Sequence, residues 1–416
     1  MKLGADHPST LTSMANLAST LWNQGRWEEA EKLDVQVMET RRWEEAEKLD
    51  VQVMETRKMK LGADHPDTLT SMANLASTLW NQGRWEEAEK LELQVMEMSK
   101  TKLGADHPST LTSMANLAST LSNQGRWEEA EKLEVQVIET RKTKLGADHP
   151  STLTSMASLA STYKNQGRWE EAEKLEVQVI ETRKTKLGAD HPSTLTSMAN
   201  LASILSNQGR WEEAEKLFVQ VIETSKMKLG ADHPDTLTSM ANLASILSNQ
   251  DRWEEAEKLE VQVIETRKTK LGADHPDTLT SMANLASTLS NQGRWEEAEK
   301  LFVQVIEMSK TKLGADHPDT LISMANLAST LWNQGRWEEA EKLEVQVMET
   351  SKMKLGADHP NTLMSMNNLA HTWNSMDKKT EAMDLMQTCI RLTEIKLGVD
   401  HPHTRSSVLA LDSWQK

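Results

Sequence analysis

Residues 103–144 read LGADHPSTLTSMANLASTLSNQGRWEEAEKLEVQVIETRKTK, and the same 42-residue unit opens again, almost letter for letter, at Leu61, Leu145, Leu187, Leu229, Leu271, Leu313 and Leu355. One more copy begins at Leu3, and a degenerate one, Leu-Gly-Val-Asp-His-Pro, at Leu397. Self-similarity at a fixed period of this size marks a stacked array, in which each unit leaves an apolar face that only its neighbours cover. Function in such a chain belongs to a repeated surface.

Each unit carries two helices. Gly104 follows an apolar, helix-forming run, where a residue at positive φ closes a helix, and Asp106-His107-Pro108 then offers a capping side chain and a proline suited to a first turn. Leu111, Met114, Leu117, Ala118 and Leu121 recur at three- and four-residue steps, which puts them on one face of a helix A from about Pro108 to Asn123. Gln124-Gly125 breaks it. From Arg126 the pattern restarts as helix B, ending near Lys144, with Trp127, Ala130, Leu133, Val137 and Ile138 on one face and Glu128, Glu129, Glu131 and Lys132 mostly off it. Helix A is expected to pack on B and each pair on the next, with Ala118 and Ala130 allowing close approach and Trp127 filling the larger gap. The expected fold class is all-α: about nine A/B pairs and a C-terminal capping helix.

Leu117-Ala118, Leu121, Gly125, Trp127 and Ala130 stand at the spacing of the tetratricopeptide repeat, with Trp127 where that family usually has tyrosine; Tyr163 brings back its aromatic at the site of Leu121. The period and the strings Asn-Leu-Ala, Gln-Gly-Arg-Trp-Glu-Glu-Ala-Glu and Leu-Gly-Ala-Asp-His-Pro resemble the kinesin light chain subtype, and Asn367-Asn368-Leu369-Ala370 is the closest passage. The resemblance covers almost the whole chain. This subtype also resembles arrays attached to nucleotide-switch regulators in fungi and bacteria. It implies a right-handed superhelical solenoid in which helix A lines the concave side. Relatives that grip a terminal carboxylate use lysine, arginine and asparagine where this chain has mainly alanine and serine, such as Ala115 and Ser119, so no carboxylate clamp is expected.

Composition stays uniform from end to end, so 1–416 reads as one elongated array with a divergent C-terminal unit and cap over 355–416. Lys plus Arg number 47 against 63 Asp plus Glu, a net charge of -16 that disfavours capture of nucleic acid or an anionic membrane and favours a neutral or basic partner. The single cysteine, Cys389, has no internal disulfide partner, and no signal peptide or apolar span of about 20 residues is present, so the expected location is cytoplasmic. Met1-Lys2-Leu3-Gly4 matches the internal Met59-Lys60-Leu61-Gly62, so the chain opens in mid-unit. The N-terminal end lacks a polar cap, which leaves head-to-tail self-association as an expectation; Arg405, Ser406, Ser407 and Asp412 give the last helix the polar character of a solvating cap.

The candidate binding residues lie on helix A. An asparagine recurs as Asn16, Asn74, Asn116, Asn200, Asn242, Asn284, Asn326 and Asn368, with Ser158 as the one replacement. A regular column of amides offers donors and acceptors to the backbone of an extended peptide; bonding to a neighbouring A helix is the structural alternative. The site beside Asn123 varies, carrying Trp22, Trp80, Ser122, Lys164, Ser206, Ser248, Ser290, Trp332 and Asn374 in turn. Trp80, Lys164 and Trp332 therefore join the ladder as peptide-binding candidates, with packing against the A-to-B turn as the alternative for the tryptophans. Phe218 and Phe302 replace a B-helix glutamate, as Met386 does, and mark either a second contact or packing between units. The recurring B-helix glutamates read as a solvated outer face.

The ten His-Pro sites, from His7 to His401, stand singly at helix starts and read as capping turns. There is no phosphate-cradling Gly-rich loop with lysine, no His-Glu-x-x-His and no nucleophile elbow, so neither catalysis, nor a metal, nor a cofactor is expected. Residues 26–41 read RWEEAEKLDVQVMETR and 42–57 repeat them unchanged. In one unbroken helix, 16 residues at about 100° each would turn the apolar stripe by about 160° beyond four full turns, predicting a projecting helix with a second stripe or a kink near Arg41 and Arg42. The expected function is a non-catalytic scaffold that binds a protein or peptide segment along helix A. Three alternatives stay open: a self-assembling array without a dedicated ligand, the sensor module of a nucleotide-switch regulator, and a kinesin light chain-type cargo adaptor.

Overall fold

A computed structural model describes residues 43–399 and 401–415. Among them, every regular element is a helix. Helices α1 (Trp43–Leu61), α2 (Pro66–Asn81), α3 (Trp85–Leu103), α4 (Pro108–Asn123), α5 (Trp127–Leu145) and α6 (Pro150–Asn165) are followed by α7 (Trp169–Leu187), α8 (Pro192–Asn207), α9 (Trp211–Lys228), α10 (Pro234–Asn249), α11 (Trp253–Leu271) and α12 (Pro276–Asn291). The last six are α13 (Trp295–Lys312), α14 (Pro318–Asn333), α15 (Trp337–Leu355), α16 (Pro360–Ser375), α17 (Lys379–Leu397) and α18 (Pro402–Trp414). Even numbers are A helices and odd numbers B helices. Eight complete pairs, α2/α3 to α16/α17, lie between the B helix α1 and the final A-type helix α18. The predicted A span of 108–123 is reproduced residue for residue, because proline starts it and glycine follows it.

The turns are closed by two devices. After each A helix the chain passes through a left-handed residue, Gly125 at φ 70°, which costs glycine nothing. At the start of A the capping group is the histidine, as the reading of the His-Pro sites as capping turns expects. His107 Nδ1 accepts from the Ser109 N–H at 3.2 Å. Asp106 pairs with Lys144 at the far end of the same unit at 2.9 Å.

The chain sorts into two compact units, the first running to Tyr163 and taking in Glu170–Leu201 and Gln220–Thr236, the second comprising Lys164–Trp169, Ala202–Val219 and Leu237–Lys416. In the first, Leu117, Ala118, Leu121 and Ala130 form a buried cluster, and Leu111, Met114 and Val137 another, so the predicted apolar stripes do meet. In the second, Phe302, Ile306, Leu321, Met324 and Leu327 bury together with Ala298 and Ala328 between consecutive repeats. Phe302 and Phe218 are each 1% exposed and Met386 is fully buried, which resolves this site in favour of packing between units. Trp127 does not fill an interior gap. It is half-buried with its indole N–H donating to Ser122 O at 3.0 Å, and its counterparts Trp211, Trp295 and Trp337 are exposed, because a tryptophan at the first residue of helix B lies over the A-to-B turn.

The second copy of the duplicated segment supplies α1, whose Met54 packs against the clusters of α2 and α3 as an ordinary helix B. The first copy and the junction at Arg41 and Arg42 lie outside the described residues. At the other end α18 covers α17, with Ser407 Oγ donating to Asn367 Oδ1 at 2.9 Å and Trp414 meeting His371 edge-on at 5.1 Å.

Candidate functional site: the exposed face of the A helices

On α14, Asp319, Ile322, Asn326 and Asn333 are spaced by three, four and seven residues, so they share one stripe of the helix. The same positions are Asp277, Thr280, Asn284 and Asn291 on α12, and Asn361, Met364, Asn368 and Ser375 on α16. Neighbouring A helices touch directly, α12 with α14 and α14 with α16. Their stripes therefore line up as columns across the second unit.

The asparagine column keeps its amides unbonded. Asn74 and Asn116 in the first unit are exposed and Asn200 half-buried; Asn242, Asn284, Asn326 and Asn368 in the second are half-buried. None of these side-chain amides forms a hydrogen bond among the described residues. The structural alternative, in which each amide ties down the next A helix, does not occur at these seven residues. Asn16 falls outside the described residues. Ser158, the one replacement, turns its hydroxyl back onto Thr154 O of its own helix.

The three variable candidates are placed differently. Trp80 is half-buried against Leu75, Leu79 and Ala88 of its own repeat, with its indole nitrogen buried and unbonded. Trp332 is 39% exposed and its N–H reaches Ser375 Oγ of the next A helix at 3.1 Å. Lys164 is half-buried and engaged within the chain.

Two charge ladders brace the array, one between neighbouring repeats and one within the repeat, and neither was apparent from helix periodicity. Arg126, in the A-to-B turn, clamps Glu129 of its own helix at 2.7 Å and reaches Glu89 of the preceding B helix at 2.6 Å, while Gln124 also donates to Glu89. Arg84 with Glu47, Arg294 with Glu257 and Arg336 with Glu299 repeat the arrangement, and Lys378 takes the same part with Glu341. The paired glutamates raise the guanidinium pKa of Arg126, above all through Glu129. One glutamate of B helices such as α1, α3, α11, α13 and α15 is thus an inter-repeat staple, a departure from the solvated face expected of it. A second rung joins Lys186 to Asp148 and Lys354 to Asp316, each at 3.0 Å.

A buried acid stands at the joint between several B helices and the A helices that follow them. Glu92, Glu134, Glu260 and Glu344 are buried, and burial pushes their carboxyls up to about 7. Each keeps Oε2 without a hydrogen-bond partner. Phe218, Phe302 and Met386 occupy this position in other repeats. Among the described residues no group of three or more His, Cys, Asp or Glu is placed to hold a metal ion, and no helix is long and apolar enough to cross a membrane. Cys389 is buried, with its thiol donating to Leu363 O.

The paired helices, the left-handed turn after A and the small alanines at the crossing reproduce a known repeat. A tetratricopeptide repeat model matches residues 35–101, 74–143, 193–269, 242–311 and 278–353, more than half of the chain, and a second model of the same repeat matches 10–42, 152–193 and 362–403. The chain belongs to the tetratricopeptide repeat family.

Among solved structures, two of a kinesin light chain-like protein of Podosopora anserina with nearly identical repeats are similar. One is 31% identical, covering 53% of this chain and 97% of that one with a TM-score of 0.40; the other is 29% identical, covering 55% and 99% with a TM-score of 0.41. A Rap protein complexed with competence and sporulation factor is 10% identical over 93% of this chain and 99% of that one, with a TM-score of 0.50, a likeness of fold alone. A search of curated proteins gives no match. Tetratricopeptide arrays are typically scaffolds for protein interaction, and that general reading holds for this chain.

Repeat comparison also contained a signal that the sequence reading passed over. The exposed A-helix threonine of Thr112, Thr154, Thr196, Thr238 and Thr280 becomes Ile322 and then Met364, which are 41% and 49% exposed.

Proposed function

We propose that the array binds an extended segment of a partner protein along the exposed face of its A helices, in the cytoplasm and without catalysis. One observation carries this reading: the described ladder asparagines stand at one register on successive A helices and keep their amides unbonded. An amide without a protein partner on a residue that is exposed or only half-buried is available as both donor and acceptor, and a column of them satisfies peptide backbone without selecting side chains. The small residues beside the column, such as Ala283 and Ala325, leave room for a chain to approach. Trp332, exposed beside it, supplies an apolar anchor, whereas the packing of Trp80 gives it a mainly structural part.

The test is selection from a phage-displayed random peptide library on the wild-type array and on a variant with Asn242, Asn284, Asn326 and Asn368 all changed to alanine. Peptides enriched on the wild type and lost on the variant are the expected result. Equal enrichment on both arrays, or none on either, overturns the asparagine-lined groove.

A further inference from the structure

We infer that the stretch of this face formed by α12, α14 and α16 selects a basic, extended segment carrying apolar side chains at every third residue. The inference rests on the groove reading above and adds its chemistry.

The apolar contribution comes from Ile322 and Met364. They stand where the A helices α2 to α12 have a threonine and α18 has Ser406, and exposed branched or long apolar side chains in that place cost solvation that an apolar partner group removes. They are neighbours across the α14–α16 contact, one repeat apart. Adjacent packed helices lie about 8–10 Å apart, and a polyproline II chain advances about 9 Å in three residues, so side chains at i and i+3 of such a segment fall over Ile322 and Met364 in turn.

The charge comes from the row above them. Asp277 and Asp319 open the first turns of α12 and α14, exposed on the same stripe. Beneath Asp277 the buried Arg267 donates to Asp277 O and Ser281 Oγ, placing a cation under the acid. One repeat on, Ser309 replaces that arginine, and the basic atom within ion-pair distance of the Asp319 carboxylate is His317 Nδ1 at 3.8 Å. That nitrogen accepts from the Asp319 N–H, so it carries no proton to offer. Asp319 thus keeps its charge uncompensated one turn from Ile322, in a chain of net charge -16. A lysine or arginine flanking the apolar residue of the bound segment completes the match, while Asn284, Asn326 and Asn368 serve its backbone.

The probe is a fluorescein-labelled, end-capped peptide of four Leu-Lys-Ser triplets, compared with Leu-Glu-Ser and Ser-Lys-Ser peptides by fluorescence anisotropy. The variants borrow residues that the array already uses at the same sites, so folding is preserved: I322T with M364T, and separately D319S. The Leu-Lys-Ser peptide is expected to bind, to lose about tenfold in affinity on the double threonine variant, and to lose severalfold on D319S with a weaker salt dependence. Stronger binding of the glutamate peptide, or affinity unchanged in both variants, overturns the inference. The quadruple Asn→Ala array separates the two readings: if it alone loses a bound peptide, the groove stands and this selectivity falls; if it binds as the wild type does, both fall.

Discussion

The Thr288 hydroxyl donates at 3.1 Å to the Glu260 carboxylate across the joint between α11 and α12, inside a protein where that glutamate is 2% exposed. One hydroxyl does not replace the hydration of a carboxylate, so the acid holds its proton to about pH 7, as Glu92, Glu134 and Glu344 do. The folded pKa lies above the unfolded value of 4.5. The stability this contributes is therefore complete below about pH 4.5 and lost as pH rises through about 7. Buried histidines act in the opposite sense. Burial lowers His233, His275 and His371, and takes His401 down to about 4, so their contribution is present above 6.5 and lost as pH falls. Between pH 6.5 and 8 only the acids change. Thermal melts should show the array losing on the order of 1 kcal/mol per acid joint over that range. Changing the four glutamates to glutamine should flatten the trend; an unaltered slope would refute the assignment.

Phe218 and Ile246 occupy in one repeat the positions that Glu260 and Thr288 hold in the next, and Phe218 and Ile246 are both buried. Transplanting the apolar pair as E260F with T288I should stabilise that joint by about 2 kcal/mol at pH 8, since a poorly solvated acid is replaced by packing the fold already accepts. The gain should shrink at pH 6, where the acid is protonated. T288I alone should destabilise by about 1 kcal/mol by removing the acid's partner. Urea denaturation at the two pH values measures all three.

Arg126 bridges Glu129 and Glu89 with one guanidinium, a third of its side chain still exposed. A double-mutant cycle of Arg126→Ala and Glu89→Ala should give a coupling of about 0.5–1 kcal/mol that fades in high salt, as solvent-screened pairs do. Coupling near zero at low salt would reduce the ladder to a surface ornament without energetic weight.

Asp251 holds φ 60°, as Asp377 does at φ 61°, where most A-to-B turns have glycine, such as Gly125 at φ 70°. Asp251→Gly should therefore raise stability by about 1 kcal/mol, seen as a higher melting temperature, because an L side chain disfavours that region. A fall in stability would mean that the aspartate side chain compensates locally.

Helix limits, the pairing of A with B and the core positions at Leu111, Leu117 and Ala130 follow from the chain alone, because proline, glycine and a 3.6-residue period act over a single turn of helix. The asparagine column was legible for the same reason: a 42-residue repeat assigns equivalent residues without coordinates. Other properties depend on groups far apart in sequence. That a glutamate at the edge of the B stripe is buried, that Phe302 joins the core, that Arg126 reaches Glu89 and that Asp319 lacks the arginine found beneath Asp277 were decided only by stacking. Periodicity assigns a residue to a side of its own helix. Burial and charge compensation are set by what the adjacent repeat brings against that side, and those contacts exist only once the repeats have packed.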